Sequence, residues 1–288
     1  MTTIHHALQQ GTSLLTQSGK ETARLDTQVL LSHVLAVERT TLYTYPETPL
    51  TPEQEQRFLT LIERRARGEP VAYLVGHKEF YGLDFVIDKR VLIPRPETEF
   101  LVETALSLCR QKLDAAQIPI VADIGTGSGA IPITLAVQEP RLPYLYASDT
   151  STDALQVAAI NCRRHHVERR VRLLQGDLLT SLPEPVDVFT ANLPYVGTNE
   201  MDILEPDVRS YEPHIALFSG PDGLDLLQRL FLEARQSRVV KKGTIFLLEI
   251  GYQQQASLTH ILHEVWPQAS VMFKKDYTGW DRLLQVTL

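Results

Sequence analysis

Apolar residues recur at helical spacing over the first seventy residues of the chain. Leu8, Leu14 and Leu15 share one face of a first helix, and Leu25, Val29, Leu30, Val34 and Leu35 continue the pattern in a second. Thr51-Pro52-Glu53-Gln54 marks a further helix start, with Thr51 as N-cap, Pro52 at the first helical position and Gln54 completing a capping box. That helix turns Phe58, Leu59 and Ile62 inward and ends at Gly68, after Arg64, Arg65 and Arg67. The period then changes. Residues 79–87 read as a hairpin turning near Gly82 and Asp84, Val91-Leu92-Ile93 extends it, and Pro94-Arg95-Pro96 stops it. A helix is predicted from Glu97 to Lys112.

From Ile118 the chain alternates strand and helix. Strands are predicted near 119–124, 143–148, 170–174, 185–190 and 244–250, with helices at 129–138, 151–165 and 223–240. This alternation predicts an α/β fold with a parallel, doubly wound sheet. Residues 269–274 and 282–288 read as an antiparallel ribbon, because no helix fits between them. The expected division is a helical N-terminal domain over 1–70, a β-hairpin linker over 71–96 and an α/β domain over 97–288. With 288 residues and 43% hydrophobic content, the chain can bury one large core, or a large and a small one.

A net charge of −7 argues against a general phosphate-binding surface, and so against nucleic acid as substrate. The two cysteines, Cys109 and Cys162, fall in helical segments without a CxxC pair, so buried free thiols are expected. No apolar run approaches ~18 residues and the first residues carry no secretion pattern, so a cytoplasmic protein without a membrane partner is expected. His5-His6 and His165-His166 have no acidic or cysteine neighbours at ligand spacing, so no metal is expected. Arg163-Arg164-His165-His166 with Arg169-Arg170, the most basic stretch, reads as a solvated helix end, with contact to RNA or a ribosome-like partner as the alternative. The last-turn position of Arg64, Arg65 and Arg67 favours helix capping over a protein-binding role.

Chemistry concentrates at the strand ends. The predicted first strand of the sheet runs into Asp123-Ile124-Gly125-Thr126-Gly127-Ser128-Gly129. Glycines there let the chain turn sharply and let a ligand touch the backbone. Asp149 ends the next strand, where an acid can hold two ribose hydroxyls. Gln175-Gly176-Asp177-Leu178 follows the third, placing Asp177 to accept from an adenine amine. Taken singly, Asp149 and Asp177 also read as turn or cap residues. Gly125, Gly127 and Ala130 satisfy a relaxed dinucleotide fingerprint as well. The D-x-G-x-G-x-G spacing and the antiparallel end of the sheet resemble class I methyltransferases instead, which use S-adenosylmethionine.

Asn192-Leu193-Pro194-Tyr195 follows the fourth predicted strand, where an open α/β sheet places ligands. An amide or aromatic amine is a weak nucleophile because its lone pair is delocalised. Two acceptors aimed at its N–H groups hold it and stabilise the charge that develops on methylation. The Asn192 side-chain oxygen is one candidate, and the carbonyl of Leu193 or Pro194 the other. Tyr195 offers a flat face for stacking.

These motifs, with Gly76-His77-Lys78-Glu79-Phe80-Tyr81, Ile93-Pro94-Arg95-Pro96-Glu97-Thr98-Glu99, Tyr211-Glu212-Pro213, Gly220-Pro221-Asp222-Gly223-Leu224 and Leu248-Glu249-Ile250-Gly251, resemble the PrmC/HemK family of peptide chain release factor glutamine methyltransferases over nearly the whole chain. The resemblance implies a class I, Rossmann-like methyltransferase fold with a mostly parallel sheet and an antiparallel C-terminal strand. It implies methyl transfer from S-adenosylmethionine, leaving S-adenosylhomocysteine, to the glutamine of the Gly-Gly-Gln motif in class 1 release factors. Asp123, Gly125, Thr126, Gly127, Ser128, Gly129, Asp149, Asp177, Leu178 and Asn192 would hold the cofactor. Asn192, Leu193, Pro194 and Tyr195 would line the glutamine site, with Asn192, Pro194 and Tyr195 carrying the catalysis, and the N-terminal domain would help grip the release factor. Two departures stand out: Leu193 replaces the usual proline, and Leu178 stands where some family members carry an aromatic residue. Asn-Leu-Pro-Tyr is also the form found in ribosomal RNA adenine dimethyltransferases, so an adenine methyltransferase is the competing reading. A non-catalytic cofactor-binding module and a nicotinamide oxidoreductase stand further off. Glu249 reads equally as a residue facing the site and as a buried structural acid.

Overall fold

In a computed structural model describing residues 1–288, the capping box forms as the sequence requires. The Gln54 backbone N–H donates to the Thr51 hydroxyl at 3.2 Å, and the Thr51 N–H donates to the Gln54 side chain at 2.9 Å. The chain divides into two units, residues 1–77 with 205–211, and residues 78–204 with 212–288.

The first unit is helical: α1 (Ile4–Gln17), α2 (Ala23–Leu35), α3 (Arg39–Thr44), α4 (Pro52–Ala66) and α5 (Val71–Val75), joined by a short helix from the later insertion, Pro206–Tyr211. Leu15, Leu30, Leu31, Phe58 and Ile62 fill its core. The predicted faces shift slightly. The buried stripe of α1 is Ile4, Ala7, Gly11 and Leu15, so Leu14, a further 100° round the helix, is exposed, as is Leu25 on α2. Arg65 corrects the capping expectation. Its side chain is buried, with Nε donating to Asp26 Oδ2 at 2.6 Å and Nη1 donating to Asp207, which also accepts from Lys20 Nζ at 2.7 Å. The insertion is therefore held to the N-terminal helices by charge pairs.

The second unit opens with a hairpin of β1 (His77–Phe80) and β2 (Leu83–Val86), followed by α6 (Thr98–Asp114). Val91, Leu92 and Ile93 do not extend the hairpin. Val91 and Ile93 are buried in irregular chain, where the Ile93 N–H donates to Glu212 Oε2 at 3.1 Å instead of to a strand. The sheet and its helices then follow in order: β3 (Val121–Ile124), α7 (Ala130–Gln138), β4 (Leu145–Asp149), α8 (Thr152–Arg164), β5 (Val171–Gln175), β6 (Val188–Ala191), the helix Pro206–Tyr211 (α9, first unit), α10 (Asp225–Gln236), β7 (Ile245–Glu249), α11 (Gln255–Val265), β8 (Ser270–Lys275) and β9 (Asp281–Thr287). The strand order is β5-β4-β3-β6-β7-β9-β8. The first five strands are parallel, and β9 runs antiparallel to both neighbours. This is the doubly wound, Rossmann-like sheet with an antiparallel end that the alternation predicts. Strand order reverses at β3, between β4 and β6, which opens a crevice beyond their carboxyl ends.

Burial on both faces explains why β3, β6 and β7 are mostly apolar, with Asp123, Thr190 and Glu249 as their buried polar members. Phe189 stacks on Phe246 with centroids 4.7 Å apart, and Trp266 packs on Phe246 in turn. Cys109 and Cys162 are buried free thiols, and burial pushes both pKa values up to about 12. The predicted helix over 223–240 stops at Gln236, where Ser237 turns extended.

Candidate active site

The chain leaves β3 through three glycines with left-handed backbone, Gly125, Gly127 and Gly129 at φ +71°, +55° and +81°. An L side chain is strained there. Gly125 is also a point of close approach: a Cβ on it would lie 2.9 Å from Leu193 Cδ2. Leu193 thus packs the 192–195 loop against the glycine loop. Two strand-end groups hold the glycine loop. The Ser148 carbonyl accepts from the N–H groups of Gly125 and Thr126, each at 2.9 Å. Asp149 accepts from the Gly127 N–H through Oδ2 at 2.8 Å and from the Ser151 N–H through Oδ1 at 2.9 Å.

This loop forms one wall of a cavity of about 380 Å³, within the range of small-molecule sites. Gly125, Thr126, Gly127, Ser128, Asp149, Asp177, Leu178, Asn192, Leu193 and Pro194 all line it. Three predicted site residues do not. Gly129 is packed away, since a Cβ there would meet Ile133 Cδ1 at 2.8 Å. Asp123 lies buried beneath the loop, with Oδ1 accepting from the Thr190 hydroxyl at 2.7 Å and Oδ2 without a partner. Tyr195 is turned so that its hydroxyl donates to Glu249 Oε1 at 3.4 Å, and burial raises its pKa. Asp177 stands exposed at the rim and accepts from Arg229.

Sequence reasoning assigned no role to several lining residues: Arg90, Val91 and Leu92 before α6, Thr98 at its start, and Pro213, Ile215 and Ala216 beyond α9. The signal available was the 93–99 motif, which contains Thr98. The Asn192 Nδ2 donates to Thr98 Oγ1 at 3.1 Å, and the Thr98 hydroxyl donates to Glu249 Oε2 at 2.6 Å. Glu249 is therefore buried against the acceptor loop.

Burial pushes the Asp123 pKa up to about 7, against the pull of the Thr126 and Thr190 hydroxyls, and the Asp149 charge adds to the rise. The Thr126 hydroxyl makes no hydrogen bond of acceptable geometry, so Thr190 is the firmer partner. Because the folded pKa lies above the unfolded one, Asp123 contributes stability that is complete below about pH 4 and is lost as pH rises through about 7. Asp123→Asn keeps the Thr190 contact and removes the titration. Its melting temperature relative to the parent is expected to rise between pH 5 and pH 8, and an unchanged difference across that range would show that Asp123 titrates normally.

The residues present fit S-adenosylmethionine. A glycine loop exposes backbone, an acid ends β4, and the buried Oγ1 of Thr126, a residue that lines the cavity, lacks a partner. The geometry gathers no group of three His, Cys, Asp or Glu side chains able to hold a metal ion.

The PrmC N-terminal domain family matches residues 6–76, and the Methyltransferase small domain family matches residues 101–205. The release factor glutamine methyltransferase of Moorella thermoacetica is 40% identical, over 97% of this chain and 96% of its own. Its counterpart from Rhodopirellula baltica is 36% identical, over 99% of this chain and 96% of its own. Among solved structures, the N-terminal domain of human METTL16 in complex with SAH superposes with a TM-score of 0.51 at 16% identity, covering 85% of this chain and 86% of that one, a likeness of fold. Fold and cavity together define a class I methyltransferase that uses S-adenosylmethionine. Within that class, the chain belongs to the release factor glutamine methyltransferases.

Proposed function

We propose that this enzyme methylates the side-chain amide nitrogen of the glutamine in the Gly-Gly-Gln motif of class 1 peptide chain release factors, in the cytoplasm and without a metal ion. The observation that carries the reading is Asn192-Leu193-Pro194, at the carboxyl end of β6, sharing one cavity with the glycine loop and Asp149. The relatives' names and the PrmC N-terminal domain point the same loop at a protein glutamine rather than an adenine.

When bound, S-adenosylmethionine supplies a methyl group on a sulfonium sulfur, open to in-line displacement. The chain's own residues do the rest. Gly125, Thr126, Gly127, Ser128 and Asp149 hold the cofactor, with Asp177 and Leu178 at its adenine end and Asp123 supporting the loop from beneath. Asn192 Oδ1 and a carbonyl of Leu193 or Pro194 accept from the two N–H groups of the glutamine amide. They polarise the nitrogen and stabilise the positive charge it gains as the carbon–nitrogen bond forms; the amide proton then leaves to solvent. Tyr195, its hydroxyl tied to Glu249, anchors the end of the 192–195 loop from outside the cavity. Fixed alignment of two weak partners supplies much of the rate. The N-terminal helices grip the release factor.

The test is incubation with labelled S-adenosylmethionine and either a release factor or ribosomal RNA. Label is expected on the Gly-Gly-Gln glutamine; label on RNA alone would favour the adenine reading. A second measurement addresses Asp149. Asp149→Ala removes the clamp on Gly127 and the acid offered to the ribose. Each lost charge-assisted hydrogen bond is worth roughly 1.5–3 kcal/mol, so titration with S-adenosylhomocysteine should show about 10- to 100-fold weaker binding. Parental affinity would remove Asp149 from the cofactor site.

A further inference from the structure

Asn192 sits at one end of a buried chain of hydrogen bonds whose polarity is set at the other end. The chain runs from Asn192 Nδ2 to Thr98 Oγ1 at 3.1 Å, and from the Thr98 hydroxyl to Glu249 Oε2 at 2.6 Å. Thr98 and Glu249 are 4% and 2% exposed, so bulk water competes little for these groups. A primary amide is nearly symmetric in shape, and nothing in its packing tells oxygen from nitrogen. Hydrogen-bond direction must do so. An ionised carboxylate only accepts, so it takes the single proton of the Thr98 hydroxyl. The hydroxyl then has only lone pairs to offer Asn192, which must turn its NH₂ inward. Its oxygen is left facing the cavity that it lines.

We propose that Thr98 and Glu249 are positioning residues for methyl transfer: the buried carboxylate makes the Thr98 hydroxyl an acceptor and so fixes the Asn192 amide with its oxygen towards the substrate nitrogen. The substrate side of this inference rests on the proposed function; the orientation of Asn192 does not. Were Glu249 protonated on Oε2, it would donate to Thr98, and the Thr98 proton would turn to Asn192 Oδ1. The amide would flip and set its own NH₂ against the NH₂ of the acceptor. The relay therefore works only with Glu249 charged. Burial pushes the Glu249 pKa up to about 7, opposed by the hydrogen bond from Thr98, the Arg282 guanidinium on β9 and the bond from Tyr195, and reinforced by Glu97 before α6. Turnover should accordingly rise with pH through about 7.

Thr98→Val keeps the shape of the side chain and removes the relay. Its kcat on a release factor should fall about tenfold or more at pH 8 with S-adenosylhomocysteine affinity within about twofold, and Thr98→Ser should restore the parental kcat. Glu249→Gln can either accept from or donate to Thr98, so its kcat should fall partway and lose the rise through pH 7. A parental kcat in Thr98→Val, loss without rescue by serine, or a pH step that survives in Glu249→Gln would each overturn the proposal. A measurement independent of the acceptor completes the test on the full chain labelled with ¹⁵N at asparagine side chains. The Asn192 amide signals, assigned by their loss in Asn192→Ala, should shift with a midpoint near pH 7 in the parent and stay still in Glu249→Gln. Signals that do not move in the parent would refute the relay, whatever molecule accepts the methyl group; a relay that titrates in a protein unable to label any release factor would refute the substrate reading instead.

Discussion

Asn192→Ala should lower kcat on a release factor by about 10²–10³-fold while leaving S-adenosylhomocysteine affinity within a few-fold of the parent. The asymmetry follows from where the side chain stands. Asn192 lines the cavity, but the glycine loop is held by the Ser148 carbonyl and by Asp149, neither of which depends on it. In the proposed mechanism, alanine removes the acceptor that strengthens as positive charge builds on the substrate nitrogen. An interaction gained mainly in the transition state appears in kcat rather than in ground-state binding. Thr98 would keep its bond to Glu249, so the start of α6 should hold and the melting temperature should change little. Single-turnover kinetics with titration calorimetry separates the two quantities. Turnover equal to the parent, or a loss explained wholly by cofactor affinity, would remove Asn192 from the chemistry.

The central parallel strands were legible because burial on both faces demands mostly apolar segments, and the glycine loop because its turn needs residues that accept positive φ. Positions decided by distant partners were not legible. Val91 and Ile93 have the composition of a strand, yet what satisfies the Ile93 N–H is Glu212, 119 residues away. Arg65 sits in a last helical turn, where a capping role is the local expectation. Its burial depends on Asp26 and on Asp207, which arrives from an insertion with no mark in the hydrophobic pattern. The site shows the same division. The loop residues that line the cavity were readable as a motif at a strand end, whereas the orientation of Asn192 needed Thr98 and Glu249, 94 residues before it and 57 after it. The 93–99 motif marked Thr98 without assigning it a task. Leu193 gains its physical role only against Gly125.

Gly223→Ala should abolish most turnover through the backbone of the acceptor loop, although Gly223 is not among the residues that line the cavity. Gly223 has φ +78°, and a Cβ on it would lie 2.0 Å from the Tyr195 carbonyl oxygen and 2.6 Å from the Tyr195 carbonyl carbon. Those are main-chain atoms, so no rotamer change relieves the contact. The same carbonyl accepts from Gln254 Nε2 at 2.9 Å, and Gln254 also donates to the Asp222 carbonyl at 3.3 Å. One methyl group therefore both strains residue 223 and pushes Tyr195 off the side chain that anchors it. A left-handed alanine costs about 1–2 kcal/mol. Displacement of the loop matters more, because a shift of ~1 Å in a positioned group can cost about 100-fold in rate. Gly82→Ala separates the two effects: its φ is +74°, with nothing within 4 Å of the added Cβ. Both variants should lose some thermal stability, but only Gly223→Ala should lose kcat, by about 100-fold, with S-adenosylhomocysteine still bound. If Gly223→Ala turns over within a few-fold of the parent, the placement of Tyr195 is not set by its contact with residue 223. If Gly82→Ala falls equally far, strain rather than displacement governs the loss.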